Sequence, residues 1–116
     1  MSETPQPEPK PKRPQQVYTL LVQVGRKPGD GLPAASTGAA LLIYASGVTE
    51  DEAVRETVAV LKVADLAPLD IEGHGTLDER LKQGDQIDAN ERALMDRALA
   101  ENAVIVAQMT PFFGED

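Results

Sequence analysis

Asp70, Glu72 and His74 stand at alternate positions in a chain that has one histidine and no cysteine. In an extended segment that reaches His74, alternate side chains share a face, with Cα atoms about 7 Å apart. Two carboxylates and an imidazole so placed suit an acid–base pair or two ligands for a divalent cation, with Asp78 as a further donor. The same letters also describe a polar stripe on a solvent-facing strand, and Gly73-His74-Gly75 reads equally well as part of a turn. Arg26 and Lys27, in the glycine-rich stretch Gly25 to Gly31, are weaker candidates for binding an anion. A phosphate cradle needs its glycines to lead into a helix with free backbone N–H groups, and Pro28 removes one of them. Ser36 and Thr37 have no base beside them in the sequence, and no zinc-protease, hydrolase-elbow or EF-hand pattern occurs. Without cysteine there is no thiolate nucleophile, disulfide, cysteine-ligated zinc or iron–sulfur cluster, and no cofactor is expected.

These residues must be held by elements whose limits are written in the sequence. VYTLLVQV, residues 17–24, is a short apolar run rich in Val, Leu and Tyr that stops at Gly25, and it reads as a strand. Residues 25–38, rich in Gly and Pro, make a loop too long for a tight hairpin, and Ala39 to Ala45 forms a second strand. Thr49 and Glu52 have the spacing of a capping box, and Val54, Val58 and Leu61 then mark the apolar face of a helix that ends before Pro68. Leu69 to Gly73 is the third strand, carrying the candidate row. Thr76 and Glu79 form another capping box for a short helix closed by Gly84, on which Glu79, Arg80 and Lys82 read as solvated charges. Asp88 and Glu91 open a helix over residues 89–101 whose apolar side chains are Leu94, Met95, Ala98 and Leu99, and Ala103 to Met109 is a β-branched last strand.

The order β-β-α-β-α-β predicts an α+β two-layer sandwich: a mixed four-stranded sheet with two main helices on one face. Each helix is expected to join two parallel strands by a right-handed crossover, with the first strand either outside the second or inserted between the second and third. The strands themselves do not alternate apolar with polar. Both faces of the sheet therefore read as buried, and two helices on one face leave the other to be covered by a second subunit, a partner or the 25–38 loop. An exposed apolar patch around Leu42, Tyr44 and Val106 is the expected contact.

Five prolines crowd residues 1–16, so this stretch is expected to be a disordered tail, with residues 17–113 a single domain and 114–116 a C-terminal end. Pro11 to Pro14 also fits a PxxP pattern. The tail carries a formal charge of +1 against −9 for residues 17–116, giving the net −8 of the chain. An acidic field repels nucleic-acid phosphates and anionic lipid headgroups, so neither nucleic acid nor membrane is expected as a partner. With no apolar run near the roughly 18 residues that span a bilayer, and a polar, Pro-rich start unlike a signal peptide, a cytoplasmic location is expected. The composition points to a non-catalytic interaction or regulatory domain, self-associating or binding another protein. The alternatives are a small enzyme or ligand-binding protein with its site at Asp70, Glu72 and His74, or an accessory subunit tethered by its tail.

Overall fold

The helices begin where the sequence places their caps. In the computed structural model, which describes residues 14–113, Thr49 caps α1 (Glu50–Val63), Thr76 caps α2 (Leu77–Lys82) and Asp88 caps α3 (Ala89–Glu101). The Thr76 box is reciprocal, with Glu79 N–H donating to the Thr76 hydroxyl and Thr76 N–H donating to the Glu79 carboxylate. At Thr49 the return bond is displaced by one residue: Glu52 accepts from Val48 N–H at 2.6 Å. Asn102, in the left-handed region, ends α3 and its backbone N–H donates to Leu99.

The four strands are β1 (Gln16–Gly25), β2 (Ser36–Gly47), β3 (Ala67–Thr76) and β4 (Val104–Phe113). The α+β class, the β-β-α-β-α-β order and the four-stranded sheet flanked by two main helices agree with the reading of the sequence. The spatial order is β3-β1-β2-β4, so β1 is inserted between β2 and β3, and every neighbouring pair is antiparallel. Strands β2 and β3, joined by α1, run the same way but are not neighbours, and β3 and β4, joined through α3, run in opposite directions and form the two edges of the sheet. The expected parallel crossovers are therefore replaced by an interleaved sheet in which the β1–β2 pair is the centre.

Nor do the helices share a face. Tyr18, Leu20, Val22 and Val24 of β1 and Ala39, Leu41, Ile43 and Ala45 of β2 pack with Ala53 and Leu61 of α1. Side chains of the other parity, Val17 and Tyr44, pack with Met95 and Ala98 of α3. Each helix makes its own helix-on-sheet layer, and the absence of apolar–polar alternation in β1 and β2 follows from burial on both sides. The sheet face that the sequence left for a second subunit is covered in part by α3.

Helix α1 lies rotated from the expected stripe: Ala53, Thr57 and Leu61 are buried, whereas Val54 and Val58 are half-buried and Val60 is exposed. Small side chains bring the helix close to β2, and a Cβ on Gly47 would stand 2.9 Å from Ala53 N. Buried Thr57 is satisfied by donating to the Ala53 carbonyl at 2.8 Å. Residues 1–13 and 114–116 lie outside the described residues, and with them all of the expected 1–16 tail but its last three residues, all but Pro14 of the PxxP pattern, and the basic residues Lys10, Lys12 and Arg13; Gln16, placed in the tail by the sequence, already belongs to β1.

Candidate functional site

Strand β3 runs through His74, which meets the condition for the row to form. Asp70 pairs with Gln23 and Glu72 with Leu21, which puts the two residues at same-face positions of β3. His74 follows across a register shift and lines a hollow of about 240 Å³ with Thr19, Leu21, Leu42, Arg80 and Asp85. His74 Nε2 lies 3.6 Å from Glu72 Oε1, and both side chains are substantially exposed. Asp70, farther along, lines a separate hollow with Val58, Lys62 and Leu69, and Asp78 lines a third with Gln15, Val17 and Leu99. The structure thus brings Glu72 to His74 and leaves Asp70 and Asp78 apart from them. Among the described residues no three His, Asp or Glu side chains are grouped to hold a metal ion.

Arg80 of α2 forms one wall of the His74 hollow. Arg80 is not a solvated charge: its side chain is 14% exposed, its Nε donates to Asp85 at 3.0 Å, and one terminal nitrogen donates to the Thr19 hydroxyl at 3.1 Å. The same nitrogen lies 3.6 Å from Glu91 Oε1, which accepts from the Tyr44 hydroxyl at 2.9 Å. Burial, followed by the neighbouring Glu91 carboxylate, pushes the Tyr44 phenol up to about 12. Burial opposes the Arg80 charge, but Asp85 and Glu91, helped by Tyr44, outweigh it and raise its pKa above the usual value. Thr19 and Tyr44 are two polar groups that are buried and face each other across β1 and β2, a pairing that only the folded sheet makes. Buried polar groups demand partners, and α2 and α3 supply them.

Chemically, the hollow offers an apolar floor of Leu21 and Leu42 beneath an exposed His–Glu pair and an arginine already engaged by two carboxylates.

Arg26 is also engaged. Its Nε donates to Asp30 at 3.0 Å, and a terminal nitrogen donates to the carbonyls of Pro33, Ala34 and Ser36, so it clamps the 26–35 loop from within. Asp30 in turn accepts from the backbone N–H groups of Lys27 and Leu32, and these bonds, led by that from Arg26, hold its carboxyl down at about 2. Lys27 stands exposed, 4.0 Å from Asp65.

A larger hollow, of about 420 Å³, lies on the other side of the molecule, between α1 and the start of β4, lined by Glu52, Glu56, Val60, Asn102 and Val104 among others. It adjoins β4, whose large side chains are unusually open: Val106, Met109, Phe112 and Phe113 are four of the nine exposed large hydrophobics among the described residues. The patch expected around Leu42, Tyr44 and Val106 does not form. Tyr44 is fully buried beneath α3 and Leu42 is half-buried, while Val106 lies on the opposite, α1 face. The cause is a bulge at Ala107, where Leu42 pairs with Gln108 but Ile43 with Val106, which reverses the facing of the residues beyond it.

A family model for a domain of unknown function, DUF8846, matches residues 17–113. The chain belongs to that family. No curated protein and no solved structure matches it. The DUF8846 match spans every strand and helix of the fold except Gln16 at the start of β1, including the His74 hollow and the whole of β4. No helix among the described residues is long and apolar enough to cross a membrane.

Proposed function

We propose that this DUF8846 chain is a non-catalytic protein-interaction domain that self-associates, and that its contact surface is the β4 side of the sheet rather than a sheet face. The observation that supports this is the contrast between the two edges. Strand β4 is ten residues long, ends the sheet, bears no charged side chain and exposes Val106, Met109, Phe112 and Phe113. Strand β3, at the other edge, carries Asp70, Glu72 and His74, the kind of residues that discourage edge pairing. The central strands β1 and β2 also lack charge, but they are paired on both sides.

Sedimentation velocity over a wide range of concentration tests the reading. A species of twice the chain mass, dissociated by Met109→Glu, is the expected result. Met109 is 46% exposed, so the charge is tolerated by the folded monomer. A monomer at all concentrations overturns self-association.

A further inference from the structure

We infer that the partner at β4 is a second copy of the same strand, paired antiparallel in one register, so that two sheets of four strands become a single sheet of eight. This rests on the self-association proposed above and specifies its geometry. An outer strand presents unpaired N–H and C=O groups along its length, and another strand satisfies them without any pocket. Charge selects the strand. Two copies of a chain with a net charge of −8 repel each other, and β3 against β3 would add Asp70 and Glu72 to that repulsion, whereas β4 against β4 brings no charged pair together.

The bulge selects the register. Val104, Val106, Met109 and Pro111 pair with Ala45, Ile43, Leu41 and Ala39, all of which belong to the core beneath α1, so these four lie on the α1 face. Ile105 and Ala107 pack in the α3 core, and Gln108 and Thr110 pair with Leu42 and Ala40 on that same face. Antiparallel partners directly opposite each other share a face. Matching faces across a twofold axis sets Val106 opposite the partner's Met109, Val104 opposite the partner's Pro111, Ile105 opposite the partner's Thr110, and Ala107 opposite the partner's Gln108. A slip of one residue either way puts Val106 opposite an α3-face residue. A slip of two sets Met109 opposite the partner's Gln108, or Val106 opposite the partner's Ala107, which again mixes faces. Only the first register matches all of the residues from Val104 to Pro111. In it the half-exposed Val106 and Met109 of each copy cover one another, and Pro111, which has no N–H, falls at the end of the ladder.

The chain has no cysteine, so single cysteines report the register without background. Val106→Cys and Met109→Cys variants are mixed under mild oxidation, their dimerisation being checked by sedimentation. A disulfide forming in the mixture, and absent from either variant alone, is the expected result, because identical positions then lie roughly 10 Å apart along the strands, beyond disulfide reach. In the unmodified protein, hydrogen exchange over residues 104–111 should slow as the protein is concentrated. A dimer in which each variant cross-links to itself, or in which β4 gains no protection, overturns the register and leaves self-association standing. A monomer overturns both.

Discussion

The Tyr44 hydroxyl donates to Glu91 Oε1 at 2.9 Å, and this bond ties the centre of β2 to the first turn of α3. Tyr44 is fully buried, yet Glu91 retains Arg80 as a neighbour when the hydroxyl is removed. Tyr44→Phe should therefore cost only about 0.5–1.5 kcal/mol in urea denaturation, the net value of one hydrogen bond. Met95→Ala, which empties the core under the same helix, should cost about 2–5 kcal/mol. Equal losses for the two variants would mean that the polar tie, not the packing, holds α3 to the sheet.

Arg80 is the hinge of the same network. Arg80→Met keeps much of its aliphatic bulk but leaves the Thr19 hydroxyl, Asp85 and Glu91 without their cation. A loss of about 1–3 kcal/mol is expected, since hydrogen bonds to charged groups are the stronger kind. No change on denaturation would mark Arg80 as a surface charge after all.

Asp30 makes the fold sensitive to acid. Its folded-state carboxyl titrates at about 2 against an ordinary value of 3.8, so the native state holds its proton less tightly than the unfolded chain. The stability this contributes is present above the ordinary value and is lost as pH falls from near 3.8 through about 2. Denaturation midpoints measured across that range should fall more steeply for the native chain than for Asp30→Asn. Parallel curves would show that the loop does not depend on the carboxylate.

His74 provides the check on a ligand site. Its side chain is 45% exposed with a single carboxylate neighbour, Glu72, so His74→Ala should change stability by less than about 0.5 kcal/mol. Native mass spectrometry of both proteins completes the test. The interaction reading expects no small mass retained by the native chain, and an adduct lost on His74→Ala would favour a binding protein instead.

The β3 edge supplies a converse. Replacing Asp70 and Glu72 together with Val should make this edge resemble β4 and raise the assembly beyond a dimer, seen as higher-mass species in sedimentation. An unchanged distribution would show that edge charge does not govern pairing.

The helix starts were legible because capping is local: Thr49, Thr76 and Asp88 each bond a backbone N–H three residues on, and nothing distant decides that. The strand cores were legible from their apolar runs, and the sharing of a face by Asp70 and Glu72 follows from the period of an extended chain. Burial of both sheet faces was likewise written in β1 and β2, which fail to alternate. What covers the second face was not, because amphipathicity says that a helix must pack, not against which side. Only the insertion of β1 between β2 and β3, and the passage of the chain to the far side before α3, settled that. Arg80 lay hidden for the same reason: its partners Thr19, Asp85 and Glu91 come from three segments that only the folded sheet and helices bring together. The bulge at Ala107 is set by pairing with β2, and so the exposed face of β4 could be assigned only in the tertiary structure.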